Sequence, residues 1–317
     1  IRHRGAFFMR IRKIFPAVLS AALLFTLLIP CAQAQPAGPR DANRTVYSFS
    51  FSPIYQFESD FDHGGSFSVQ RYAFNFDTST PVTSSLRAGI SLGYEFESYD
   101  FSGTTAFAGA DPWSDIHRFS AGLPVSWRMT DSWSVFVSPQ VEWYGESGVD
   151  NWDDAFGYGA VFAVSYRVSP SFTLGAGAGV FRRTEETKGF PYIAVDWKIT
   201  EDLRLSNPFR TSPSGPAGLE LSWRISDRWE IAAGGAYRSF RFRLDDSGVA
   251  PNGVGEQEST VGYARLTYRM GRDLKLDLYG GAAFNGKMRI NDRDGNELGS
   301  DDFETAPMAA LSLTLNF

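Results

Sequence analysis

Leu219-Glu220-Leu221-Ser222-Trp223-Arg224-Ile225 and Leu274-Lys275-Leu276-Asp277-Leu278-Tyr279 alternate oily and polar side chains with a period of two. A strand turns successive side chains to opposite faces, whereas a helix brings them back about every 3.6 residues, so both stretches read as strands. Phe119, Ala121, Leu123, Val125 and Trp127 oppose Arg118, Ser120, Gly122, Ser126 and Arg128 in the same way. So do Leu311, Leu313, Leu315 and Phe317 against Ser312, Thr314 and Asn316.

Working outward, two kinds of connection alternate. Thr130-Asp131-Ser132, Ser169-Pro170-Ser171, Thr200-Glu201-Asp202, Ser226-Asp227-Arg228 and Gly271-Arg272-Asp273 are short turns, with a looser one over 78–84. Their residue types favour tight turns for definite backbone reasons. Between them lie longer polar stretches at 58–65, 100–114, 145–154, 183–188, 209–216, 244–258 and 285–302. Short turns at one end and long loops at the other are the asymmetry of outer-membrane barrels. The predicted strands are 44–57, 66–77, 84–98, 116–129, 133–144, 155–168, 172–182, 189–199, 203–208, 217–226, 229–243, 259–270, 273–284 and 303–317. The fold class expected is all-β: a closed, antiparallel, up-and-down transmembrane β-barrel of fourteen strands. Twelve is the alternative, if the short 203–208 and the Pro191-bearing 189–199 do not span. Pro124 and Pro139 fall inside adjacent strands, and because proline cannot donate to a ladder, paired bulges are expected there.

The aromatics mark depth. Trp127, Trp133, Trp197, Trp223, Trp229 and Tyr268 lie beside short turns on the oily face by parity. They are the expected girdle where rings meet lipid headgroups. The charged residues share the opposite face, so Arg118, Arg128, Glu142, Arg167, Glu220, Arg224, Arg265, Lys275 and Asp277 are expected to line the lumen. An arginine facing lipid at mid-depth would cost about 2–4 kcal/mol, which forces that assignment in a barrel. Small eight-stranded barrels are just filled by side chains, so fourteen strands predict unfilled interior.

At the N-terminus, Arg10, Arg12 and Lys13 precede an apolar run from Ala17 to Ile29 and the small-x-small site Ala32-Gln33-Ala34. Residues 1–34 are read as a signal peptide, with Met9 the expected start, 35–43 a short periplasmic segment and 44–317 the barrel. Cys31, the only cysteine, would leave with the leader. The sequence holds 30 Lys and Arg against 36 Asp and Glu. Five of the basic residues and none of the acidic ones fall in 1–34, which leaves −11 for the remainder and argues against nucleic acid.

Signals for chemistry are few. His117 lies near Asp111, Ser114 and Asp115 in sequence, which supplies only a minor alternative of a hydrolase at the barrel rim. No Gly-x-Ser-x-Gly elbow is present. Asp292 and Asp294 stand in an acidic loop with oxygen ligands suited to Ca²⁺, off the EF-hand pattern. No cofactor is expected.

The stretches Arg241-Phe-Arg-Leu-Asp-Asp246, Pro251-Asn-Gly-Val-Gly-Glu256 and Leu276-Asp-Leu-Tyr-Gly-Gly281 resemble an uncharacterised family of Gram-negative outer-membrane β-barrel proteins. The ending on Phe317 is similar to the signal by which the barrel-assembly machinery takes up its clients. That resemblance implies the fold and an outer-membrane location, with lipid and lipopolysaccharide as surroundings. It implies no activity. The mixed-charge lumen leads to the expectation of a passive pore for small polar solutes. A non-conducting structural or adhesive barrel, acting through acidic extracellular loops, is the alternative.

Overall fold

The computed structural model describes residues 44–107, 109–207 and 218–317; the expected leader, Cys31 and the 35–43 segment lie outside them. Seventeen strand segments form one sheet. They are β1 (Val46–Asp60), β2 (Ser66–Pro81), β3 (Leu86–Ala88), β4 (Ser91–Ser102), β5 (Asp115–Gly122), β6 (Val125–Arg128), β7 (Trp133–Glu146), β8 (Phe156–Ser169) and β9 (Phe172–Arg183). There follow β10 (Glu186–Lys198), β11 (Leu203–Ser206), β12 (Gly218–Arg224), β13 (Trp229–Arg243), β14 (Val254–Met270), β15 (Leu274–Asn291), β16 (Glu297–Phe303) and β17 (Ala306–Asn316).

Three wall strands are interrupted once each, as β3/β4, β5/β6 and β16/β17, so the segments make fourteen antiparallel strands. β1 closes the circle on β17, from Ser48 opposite Asn316 to Gln56 opposite Met308. Tyr47 and Phe317 finish the seam by exchanging both backbone hydrogen bonds, at 2.9 and 3.0 Å, and their rings stack at 5.6 Å. β11 and β10, where the 203–208 and 189–199 strands are expected, are both in the wall over their described residues, and Pro191 sits in β10 opposite Ala178.

The paired bulges expected at Pro124 and Pro139 are absent. Gly122 faces Gln140 on one side of Pro124 and Val125 faces Val137 on the other, so no residue is gained or lost. The ladder simply lacks a donor there, while Leu123 still donates to the Pro139 carbonyl at 3.0 Å. The register shifts fall elsewhere, between Gln56 and Ser59, Arg167 and Ser169, Glu258 and Thr260, and Ile290 and Asn291.

Loop boundaries also differ from expectation. The 183–188 stretch is a tight hairpin over Thr184 and Glu185, both at positive φ. β15 runs on to Asn291 and returns as β16, and β14 begins at Val254, so the sheet rises well past the expected loop line. Polar side chains hid these strands, because beyond the oily band the outward face need not be apolar.

The outer wall keeps its oily face in the open: Leu219, Leu221, Trp223, Ile225, Leu278 and Phe162 are all exposed. Trp127, Trp133, Trp197 and Trp229 are exposed at the turn end, where Trp229 packs on Tyr268 at 4.6 Å and Trp133 on Tyr166 at 4.9 Å. The buried hydrophobic cluster lies inside, at the loop end. Phe67 packs on Phe61 and Phe303 at 5.1 and 4.9 Å, and Trp113 meets Phe242 edge-on at 5.1 Å.

The expected unfilled interior presumed a circular cross-section. Instead, Arg243 of β13 pairs in parallel with Gly145 of β7, six wall strands away, so opposite walls touch at the loop end. The contact divides the loop-end lumen into two lobes. One, walled by β14, β15, β16/β17, β1, β2, β4 and β5, holds the aromatic cluster. The other is walled by β8 to β12.

Candidate functional site

Two ionic networks occupy the lumen, one bridging opposite walls and one running along β12 to β15. The loop-end network centres on Arg71 of β2 and Glu97 of β4, which are 1% and 0% exposed. Arg71 donates through Nε to Glu97 at 2.7 Å and through Nη2 to Gln257 Oε1 at 3.0 Å. The Tyr144 hydroxyl donates to Glu97, and the Tyr99 hydroxyl lies 2.9 Å from Glu97 and 2.7 Å from Gln257. β14, which carries Gln257, stands seven wall strands from β7, which carries Tyr144, so this brace joins opposite walls. Alongside it, Glu142 accepts from Arg118 at 2.6 Å and from Arg183, and Arg118 lies 3.8 Å from Glu95.

Nearer the turn end, Arg265 donates to Glu220, to Glu230 at 2.9 Å and to Asp277 at 3.2 Å. Arg269 joins Glu230 at 2.6 Å and Lys275 joins Asp277 at 2.8 Å. Three cations meet three carboxylates, so this network is neutral. Burying charge is tolerable only when it is paired and hydrogen-bonded, and here it is.

The expected lumen residues therefore fall in three places. Arg118 and Glu142 belong to the loop-end network; Glu220, Arg265, Lys275 and Asp277 to the turn-end one. Arg128, Arg167 and Arg224 sit at the turn-end mouth, where Arg128 donates to the Ser84 carbonyl at 2.7 Å and Arg224 to Asp202 at 2.9 Å. The Arg167 amide donates to the Ser132 carbonyl. Sequence reasoning missed Arg71, Glu97 and Arg183. Parity could have supplied Arg71, but its inward neighbours Phe67, Val69 and Ala73 are apolar and so are the outward Phe74 and Phe76, which erases the alternation.

The second lobe is built differently. On β9 the inward positions Gly175, Gly177 and Gly179 face β10. A Cβ on Gly177 would run into the Tyr192 ring, and one on Gly179 into the Phe190 ring. The glycines thus let two aromatic rings lie flat against the wall, with Phe181 stacked parallel to Phe190 at 6.3 Å. β11 ends at Ser206 and β12 is described from Gly218; above Asp196 the β11-side edge of β10 carries no strand partner among the described residues, while the β12-side edge of β13 meets β7 through Arg243 and Gly145. At the end of β11, the Asn207 side chain accepts from the Val195 amide at 2.6 Å and donates to the Ile193 and Gly218 carbonyls at 3.0 and 2.8 Å. At the rim, Arg241 reaches Thr184, Glu186 (3.0 Å) and Glu256, tying β13 to the β9–β10 hairpin.

The other candidates have ordinary partners. His117 lies on the outer face with Tyr94 and Phe96; its ring nitrogens are 3.0 Å from the Tyr94 hydroxyl and 3.0 Å from Ser147 Oγ. Ser114 bonds Glu146 instead. Asp292 accepts from the amides of Asp294 and Asn296 and from the Asn296 side chain, a turn cap whose hydrogen bonds hold its carboxyl below the usual aspartate range. No cluster of three or more His, Cys, Asp or Glu able to hold a metal occurs among the described residues.

His63, in the loop between β1 and β2, is raised above its ordinary 6.5 by its hydrogen bond to Asp301 at 2.8 Å and by that residue's charge. A histidine raised on folding stabilises the fold fully below the unfolded pKa, and the contribution disappears as pH rises through the folded one. The His63 ring resonances are expected to titrate above 6.5 and to return towards that value in Asp301→Asn. An unchanged midpoint in that variant would show that the contact does not form.

A family profile described as "Domain of unknown function (DUF6268)" matches residues 88–316. No curated protein sequence matches the chain at a significant level. Among solved structures, the chain is similar to the COG4313 outer membrane channel from Pseudomonas putida F1, with 8% identity, 92% of this chain and 100% of that one covered, and a TM-score of 0.48. It is also similar to the Pseudomonas putida toluene transporter TodX (11% identity, 87% and 90% covered, TM-score 0.41). The translocator domain of the autotransporter NalP from Neisseria meningitidis is a third (9%, 87% and 90%, 0.39).

Proposed function

The chain belongs to the family of the domain of unknown function DUF6268, and we propose that this member sits in the outer membrane of a Gram-negative bacterium and passes small polar solutes through the lobe of its lumen walled by β8 to β12. The outer-membrane part rests on the band of exposed apolar side chains around a closed sheet, far more than a soluble monomer leaves in water. On this reading the tryptophan ring sits at the periplasmic headgroups, with lipid and lipopolysaccharide around the wall.

One observation carries the passage reading: the lumen is filled unevenly. The aromatic cluster and the Arg71–Glu97 brace occupy one side, while the other is thinned by glycines to half-buried Phe190 and Tyr192. The conduit is therefore narrow and one-sided, not the full bore of fourteen strands. Planar bilayers holding the refolded protein are expected to show small, uniform conductance steps, well below those of a wide diffusion pore. Folded protein, checked by heat-modifiable gel mobility, that gives no steps would remove the channel reading. A non-conducting structural or adhesive barrel would then stand, favoured by the contact of Gly145 with Arg243 across the loop end.

A further inference from the structure

The loop-end network holds one cation too many. Arg71, Arg118 and Arg183 are matched by Glu95, Glu97 and Glu142. Arg238 of β13 is a fourth guanidinium turned inward on the same side, over the Phe240 ring that Arg71 also covers. It is 7% exposed, and among the described residues no carboxylate lies within salt-bridge distance of it and its Nε has no acceptor. Its guanidinium lies over the face of Phe240, 5.5 Å away, and Arg71 lies over the same ring at 5.1 Å. Arg71 leaves Nη1 without an acceptor, and Gln56, facing the lumen from β1, leaves Nε2. Three orphaned groups are all donors. The turn-end network, by contrast, is balanced and paired.

A buried guanidinium without a counter-charge is strongly unfavourable unless something else supplies the charge. An acceptor-only group of single negative charge would satisfy Arg238 and Arg71 together, and the planar fork of a guanidinium matches a carboxylate. The rings nearby, Phe240 beneath both guanidiniums and Tyr144 edge-on to it at 6.4 Å, suit an organic body over a hydrated inorganic ion. We propose that Arg238, with Arg71 beside it, forms a binding site in the lumen for a small organic monocarboxylate. The site lies beside the Arg71–Glu97 brace on the filled side of the lumen, and so goes beyond the reading of the lobe walled by β8 to β12 as a solute passage.

Binding is tested on the full chain in detergent, where conduction plays no part. Sodium benzoate is expected to raise the thermal midpoint of the wild-type barrel, because a ligand held only by the folded state stabilises it. Benzylamine, of the same shape and opposite charge, is expected to leave it unmoved. In Arg238→Gln the benzoate affinity should fall roughly tenfold or more. Arg238→Lys, which keeps charge but loses the fork, should fall between. Arg228→Gln removes the same charge at an exposed turn and should bind as wild type does. No benzoate shift in wild type, an equal shift with benzylamine, or undiminished binding in Arg238→Gln would each overturn the site. Benzoate binding by a barrel that conducts nothing would retain the site and remove the channel instead.

Discussion

Glu97→Ala is expected to be among the most destabilising single substitutions in the wall, by about 3–5 kcal/mol. Glu97 is fully buried and receives Arg71, Tyr99 and Tyr144. Removing it leaves the Arg71 guanidinium in the closed lobe with Gln257 and the Tyr99 hydroxyl as its remaining hydrogen-bond acceptors, and takes the acceptor from the Tyr144 hydroxyl. The excess charge already carried by Arg238 would rise by one. Replacing both partners, as Arg71→Met with Glu97→Leu, should cost less than Glu97→Ala alone, since it is the unpaired charge that is expensive and not the missing pair. Glu97→Gln should lie nearer the wild type, keeping acceptor and shape. Equilibrium urea unfolding in lipid vesicles reads all three. A Glu97→Ala barrel within about 0.5 kcal/mol of wild type, the range of ordinary surface substitutions, would mean the brace does not form.

The second large effect is on the other face. Leu221 sits mid-strand in β12 between Leu205 and Ala233, with its side chain exposed on the outer wall. Leu221→Arg is expected to lose about 2–4 kcal/mol in vesicles, the depth-dependent penalty for arginine against hydrocarbon. Ser222→Arg, one residue on, turns to the lumen beside Arg204 and Ala232 and should lose much less. For a sheet in water the order would reverse, because charging an exposed leucine is harmless there and crowding the inner face is not. The pair therefore separates membrane wall from soluble sheet in one assay.

These two positions also mark how far the sequence was legible. Leu221 and its outward neighbours alternate with polar residues through the oily band, so strand type, strand number and wall orientation could be read directly. The even count followed from turn chemistry at 130–132, 169–171 and 226–228, where a side-chain hydroxyl of Thr130 or Ser226 receives the amide that closes the turn. Glu97 belongs to the loop-end half, where Phe67, Val69 and Phe101 make the inner face apolar as well, and a period of two carries no signal when both faces are oily. Parity assigns a side chain to a face but not to a partner. That Glu142 of β7 takes Arg183 of β9 depends on register across β8, and that Gly145 meets Arg243 depends on the wall folding in on itself. Neither is encoded in local pattern. The filled lobe followed from the same cause, since a strand count fixes a circumference and not a cross-section.

The most direct measurement is a scan of single cysteines across 219–224, each carrying a nitroxide, in the barrel reconstituted in lipid. The account predicts that labels at 219, 221 and 223 relax with oxygen dissolved in the bilayer and that those at 220, 222 and 224 do not. Labels that all respond to a water-soluble nickel reagent, or an alternation of the opposite phase, would contradict it.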